Sequence, residues 1–214
     1  GGTATGSGTD YTLAAGTATI TSGATTTNFS ITIAEDAIDE SNETIIITLS
    51  NPTYANLTAN NTYTYTILDN DATPQVSFAQ SSSSDDESTP TVNLTVNLSA
   101  VSGLDVTVDY TLGGTATYGD DYSVSSSSIT IPAGSSSANI VLNVTNDAIE
   151  EGNETVIVTL TTTTNASKVT PFVHTYTIDA NDAFGTGGPA GVGNSASNPL
   201  WLKADYITGV ADGA

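Results

Sequence analysis

Apolar and polar residues alternate along much of this chain. Residues 29–33 read FSITI and residues 140–145 read IVLNVT, with apolar side chains at every second position. This period of two predicts β-strands with one buried face and one face in water. Further strands are predicted where similar segments are bounded by Gly, Asn, Asp, Ser or Pro, at 44–50, 62–68, 92–98, 104–112, 155–161 and 172–178.

Turn signals recur every 8 to 12 residues, and the chain is rich in Thr, Ser, Gly and Asn but poor in Lys, Glu and Leu. This composition disfavours long helices and suits short strands joined by tight turns. We therefore predict an all-β protein built from antiparallel β-sandwiches.

The chain contains one structural unit repeated twice. Residues 35–43 read EDAIDESNE and residues 146–154 read NDAIEEGNE, and the offset of 111 residues holds without a gap over 10–71 and 121–182. A repeat of this length is a whole domain, longer than the units of most solenoids. The acidic clusters are therefore a feature of the architecture.

The second copy is predicted to be a complete sandwich over 76–183. The first copy, 1–72, begins at GGTAT, which recurs at 113–117, so it has no counterpart of 76–112. We expect a partial sandwich there, truncated at its N-terminus, with its opening strands upstream in a parent protein or on another chain. Residues 184–198 are predicted to be a Gly/Ser-rich linker, and 199–214 to begin a further domain.

Charge narrows the possible partners. The 214 residues carry a formal net charge of −21, from 23 acidic residues against two lysines and no arginine. Nucleic acids and anionic membranes are polyanions, so they are excluded as partners, whereas cations are favoured. No segment is apolar for long enough to insert into a membrane, and the absence of cysteine excludes disulfides and thiolate metal sites.

The acids of the second copy come from four separate parts of the sequence: Glu87 near its start, Asp120 and Asp121 after GGTAT, the loop with Asp147, Glu151 and Glu154, and Asp182 after the last strand. If the loops and strand ends of a sandwich meet at one pole, these carboxylates repel one another unless a cation neutralises them. Calcium suits such a site best because it accepts six to eight oxygens at flexible geometry. The alternative, that the acids simply face water, is the usual explanation for an isolated acidic run.

The first copy repeats the pattern with Asp10, Asp36, Glu40, Glu43, Asp69 and Asp71. The recurrence at matching positions favours a metal site over a solvated surface. Ala180 stands in the second copy where the first has Asp69, so fewer or weaker ions are expected there. The first copy, in turn, has no counterpart of Glu87.

The order GTAT, G-x-DY, NDAIEEGNET, VTL and a strand ending in acids resembles the Calx-beta domain, which occurs in sodium/calcium exchangers, integrins and arrays in large bacterial surface proteins. The resemblance implies a seven-stranded immunoglobulin-like sandwich with calcium between the loops at one pole. In the first copy it places the ligands on the six acids named above. In the second copy it places them on the backbone carbonyl of Ile149 and on Glu87, Asp121, Asp147, Glu151, Glu154 and Asp182.

The tail GPAGVGNSASNPLWLKADYITGV is similar to a segment that often precedes lectin-like domains in bacterial cell-surface and gliding-motility adhesins. Together with the composition, it predicts an extracellular protein at a bacterial cell surface. We expect a calcium-stiffened stalk that contacts neighbouring repeats of the same parent protein. The alternative is a module that recognises a glycan or protein through its loops.

An enzyme is the least favoured class, because no nucleophile–base pair stands out from the acids. The sole histidine, His174, aligns with Tyr63 of the first copy in the same strand register. We expect it to pack on a sheet face.

Overall fold

The second copy folds as two five-stranded sheets in a computed structural model that describes residues 1–14 and 16–182. The predicted linker at 184–198 and the further domain at 199–214 lie outside these residues. The first sheet has the order β10-β8-β12-β14-β6. Its strands are β6 (Ser82–Asp86), β8 (Val106–Gly114), β10 (Ser128–Ile131), β12 (Glu154–Thr164) and β14 (Val173–Asp179).

The second sheet has the order β13-β5-β7-β11-β9. Its strands are β5 (Gln75–Phe78), β7 (Thr91–Leu98), β9 (Tyr122–Val124), β11 (Ser137–Val144) and β13 (Ser167–Lys168). The resemblance implied seven strands where the structure has ten segments. The opening strand is divided into β5 in one sheet and β6 in the other, and β9 and β10 are divided between the sheets in the same way. The tenth segment, β13, contains only two residues.

The core lies between these two sheets. The predicted alternation is confirmed in β11, where Ile140, Leu142 and Val144 are buried while Asn143 is exposed. The prediction of an all-β sandwich is confirmed as well, and within residues 1–14 and 16–182 there is no helix. It follows that this part of the chain holds no helix long and apolar enough to cross a membrane.

The first copy forms two small sheets. Strand β1 (Tyr11–Thr12) pairs with β2 (Thr32–Ile33), and β3 (Glu43–Thr48) pairs with β4 (Thr62–Ile67). The predicted strand over 29–33 was wrong for its first three residues, and the Phe29 side chain is half exposed. In the second copy the equivalent strand β11 pairs along its length with β7, which has no counterpart in the first copy.

Two glycines fix the same backbone contact in both copies. Gly2 and Gly114 each have φ near +114°, and a Cβ atom at either position would lie 2.0 Å from the carbonyl oxygen of Thr44 or Thr155. Only glycine permits so close an approach at this backbone conformation. The contact holds the segment that precedes Asp10 or Asp121 against the strand that follows the acidic loop, β3 in the first copy and β12 in the second.

The two copies touch through a short bridge. The carbonyl oxygen of Asp39 accepts hydrogen bonds from the Gly103 amide at 3.0 Å and from the Ser102 hydroxyl at 3.3 Å. Ser102 is only 1% exposed. The acidic loop of the first copy therefore lies against the β7–β8 loop of the second.

Candidate metal centre

The acids of the second copy are placed by the ends of its strands. Glu87 directly follows β6, Asp121 directly precedes β9, and Glu154 is the first residue of β12. Asp147 and Asp182 each follow the end of a strand by three residues, after β11 and β14. Because these strand ends meet at one pole of the sandwich, acids far apart in sequence become neighbours.

Two groups of three carboxylates form at this pole. Glu87, Asp147 and Asp182 make one group, in which one carboxylate oxygen of each residue lies within 4.8 Å of the others. The second group meets the same criterion and contains Asp121, Glu151 and Glu154. All six side-chain ligands that the resemblance implied for this copy are thus brought together.

Backbone amides orient several of these carboxylates. Asp147 Oδ1 accepts a hydrogen bond from the Ile149 amide at 2.6 Å, and Asp121 Oδ2 accepts one from the Thr117 amide. The Asp147 amide lies 3.4 Å from Glu87 Oε1. Ile149, expected to offer its carbonyl, lies in this same loop with an exposed side chain.

The electrostatics of the pole favour proton uptake or cation binding. Burial, the hydrogen-bonded Asp121 carboxylate and the charge of Glu151 raise the pKa of Glu154 to about 7. Burial and neighbouring acids also raise the pKa values of Glu87 and Glu151. Each shift means that the negative form is penalised when no cation is bound.

Two observations show that this pole fits a hard divalent cation. Asp182 Oδ2 is buried and has no hydrogen-bond partner among residues 1–14 and 16–182, which is costly unless something positive meets it. No basic side chain fills that role in the described part of the chain, because Lys168 Nζ donates to the carbonyl oxygens of Leu160 and Thr161 at 3.0 and 3.1 Å. The two groups offer carboxylate oxygens, which suit calcium.

The acids of the first copy surround one cleft of about 80 Å³. Carboxylate oxygens of Asp10, Glu40 and Glu43 lie within 4.8 Å of one another. The other three predicted ligands, Asp36, Asp69 and Asp71, line the same cleft. Burial and the charges around them raise the pKa values of Glu40, Glu43 and Asp71.

The expectation of fewer or weaker ions in the second copy was based on Ala180, and the grouping of the carboxylates points the other way. The second copy gathers two carboxylate groups and the first copy gathers one. Strand β6 accounts for the difference, because Glu87 at its end completes the group with Asp147 and Asp182. The first copy has no counterpart of β6 in this chain.

Two asparagines outside the predicted ligand set also stabilise the poles. Asn153 Oδ1 accepts from the Ala180 amide at 3.2 Å, and its counterpart Asn42 Oδ1 accepts from the Asp69 amide at 2.9 Å. These bonds tie the acidic loop to the final strand of each copy. Their recurrence at an offset of 111 residues was the signal that could have identified them.

Comparison with known proteins gives one family. The family model for the Calx-beta domain matches residues 1–71 and residues 69–183. No curated protein matches the chain.

Solved structures give distant similarities. The apo-form Calx CBD1 domain is 18% identical with a TM-score of 0.48, and the alignment covers 52% of this chain and 100% of that one. The calcium binding domain CBD12 of CALX1.1 is 19% identical with a TM-score of 0.47, and 50% of this chain and 44% of that chain are covered. The chain thus spans less than half of that longer structure.

Proposed function

The chain belongs to the Calx-beta family, and we propose that its two copies bind calcium at their acidic poles and form part of the stalk of an exported bacterial surface adhesin. The observation that carries the calcium assignment is the convergence of six carboxylates in two groups, with one buried oxygen, Asp182 Oδ2, unpaired among the described residues. The family assignment supports the calcium ligands that the sequence resemblance implied. Outside the cell, where calcium is plentiful, affinities as weak as about 10⁻⁴ to 10⁻³ M are sufficient.

The proposed mechanical role depends on where the first copy's acids lie. Glu40 neighbours Asp39, whose carbonyl holds Ser102 and Gly103 of the second copy. The Glu40 amide also donates to Asp69 Oδ1 at 3.2 Å, which links the loop to the end of β4. A cation in this cleft would fix the loop that carries the contact between the copies, and so stiffen the tandem.

Thermal melting of the whole chain in calcium and in chelator tests the proposal. At a calcium concentration one hundred times the Kd, each site adds about 2.7 kcal/mol to the stability, which corresponds to roughly 10 °C in the Tm of a domain of this size. Asp147→Asn combined with Glu151→Gln should abolish the shift of the second copy, while Glu150→Gln, in the same loop but outside both groups, should leave it unchanged. Equal melting curves in calcium and chelator, with no binding heat, would contradict the proposal.

The surface location needs its own test. Antibody labelling or protease treatment of intact source cells should reach this segment if it is part of an exported stalk. Protection of the segment until the cells are lysed would contradict export, whatever the result with calcium.

A second candidate function is ligand binding at an open cleft of about 490 Å³ on the second copy. Tyr110, Leu112, Tyr118 and Val124 line it together with hydroxyl side chains. The Tyr118 side chain is 58% exposed and lies in the turn that ends at Asp121. An exposed aromatic face beside hydroxyl groups is a surface on which a sugar ring can stack.

A glycan array probed with and without calcium tests this second function. Binding that Tyr118→Ala removes would support it, whereas an array with no reproducible signal would leave the stalk as the sole proposal.

A further inference from the structure

The sequence of strand β6 does little to specify its pairing register with β14. It is the edge strand of its sheet and pairs in parallel with β14. Residues 81–84 are four consecutive serines, and most of β6 is exposed. Register is weakly specified when a strand has no alternation of apolar and polar residues. Something other than this strand's own pattern must select one serine over its neighbours.

His174, on the neighbouring strand β14, contacts one of these serines. It is 1% exposed, and its ring packs against Phe78 with 5.4 Å between the ring centroids. Its Nδ1 lies 2.8 Å from the carbonyl oxygen of Gln80, and its Nε2 lies 2.9 Å from the hydroxyl of Ser83. A carbonyl can only accept, so Nδ1 carries a proton, and in the neutral ring Nε2 accepts a hydrogen bond from the Ser83 hydroxyl.

The chosen register determines where Glu87 lies. Ser83 pairs with Tyr176 and Asp86 pairs with Asp179, and the Glu87 amide donates to the Asp179 carbonyl at 3.0 Å. A slip of one residue would move Glu87 by about 3.3 Å and turn each β6 side chain to the opposite face, and a slip of two would move it by about 6.6 Å. Either displacement is large beside the 4.8 Å within which the three carboxylate oxygens meet.

We propose that His174 is a positioning residue for the metal site, and that its hydrogen bond to Ser83 locks the register of β6 so that Glu87 joins Asp147 and Asp182. This inference rests on the proposed calcium function. His174 acts through the strand and touches neither the ion nor its ligands. Its counterpart Tyr63 is 64% exposed in the first copy, which has no β6 for it to hold.

The test compares three substitutions of the serines in the whole chain. Ser83→Ala removes the hydroxyl that His174 holds, Ser83→Thr keeps it, and Ser84→Ala alters a neighbouring exposed serine of the same strand as a matched control. Loss of a residue that supports a metal ligand typically weakens affinity by about 10-fold to 100-fold. We expect Ser83→Ala to weaken one class of calcium site in a calorimetric titration by that factor, with Ser83→Thr and Ser84→Ala close to the unaltered chain.

A second pair of chains separates positioning from general loosening. In a Glu87→Gln background, Ser83→Ala should cost no further affinity, because the ligand that it places is already lost. A further loss in that background, or equal effects of Ser83→Ala and Ser84→Ala, would overturn the proposal.

A measurement without calcium tests the register of β6 separately from the proposed calcium function. If the unaltered chain binds no calcium, the proposed function fails, but the register lock is still tested by hydrogen exchange of the Glu87 amide in chelator. Ser83→Ala should increase that exchange at least 10-fold over Ser84→Ala. Equal exchange in the two variants would overturn the lock itself.

Discussion

Replacing Glu154 with Gln should have opposite effects on stability with and without calcium. Glu154 lies among Asp121, Glu151 and Glu87, and burial together with these neighbours raises its pKa to about 7 from an ordinary value of 4.5. The folded state therefore holds a proton between these values that the unfolded state has released. Stability of the calcium-free chain falls as pH rises through this window, and the loss is complete above about pH 7.

The size of the effect follows from that shift. Without screening, the difference between the two pKa values corresponds to roughly 3 kcal/mol. Glu154 is only half buried, so solvent screening leaves roughly 1 kcal/mol. At pH 8 in chelator, Glu154→Gln removes the penalised charge and should raise the Tm by roughly 4 °C. In saturating calcium the same change removes a ligand and should lower the Tm.

Differential scanning calorimetry at pH 5, 6.5 and 8, in calcium and in chelator, measures both the expected rise and the expected fall in Tm. Glu150→Gln removes one charge from the same exposed loop and serves as the control, with little change expected in either condition. A Glu154→Gln chain that melts lower than the unaltered chain at pH 8 in chelator would refute the argument that uncompensated repulsion limits the calcium-free state.

Three further outcomes are expected. Gly114→Ala should cost roughly 3 kcal/mol in chemical denaturation, because its Cβ would meet the Thr155 carbonyl at 2.0 Å, whereas Gly113→Ala, with open space around it, should stay within about 0.5 kcal/mol. Calcium binding at pH 6.5 should release protons, chiefly from Glu154, and release fewer at pH 8.5, as titrations in buffers of different ionisation enthalpy will show. Leu142→Ala should lower the stability by roughly 2 to 5 kcal/mol, since that side chain is fully buried.

Periodicity predicted the strands whose two faces meet different surroundings, and missed those whose position depends on a partner. Strand β11 has an apolar residue at each buried position, so its sequence alone identified it. Strand β6 reads SSSDD and becomes a strand only because β14 pairs with it. Conversely, residues 29–31 alternate correctly but have no strand beside them in the first copy.

The candidate metal site was also predictable only in part. Spacing and recurrence were enough to select the acids, because carboxylates repeated at an offset of 111 residues need a common explanation. The grouping of Glu87 with Asp147 and Asp182 depends on the parallel pairing of β6, which no local pattern encodes. Asn153 was missed for a related reason, since its role is a hydrogen bond to Ala180 across the loop.

The two copies share the turn of the acidic loop but differ in the carboxylate group that contains Glu87. The acidic loop keeps its turn in both, with Asp36 accepting from Ile38 at 2.8 Å as Asp147 accepts from Ile149 at 2.6 Å. It does so although the first copy contributes only the short strands β1 to β4 in the described residues, with the Ser102–Gly103 segment of the second copy against the loop. This local turn therefore forms without counterparts of β5 to β7. The group containing Glu87 requires β6 in addition, so we expect the second copy to bind the extra ion despite Ala180.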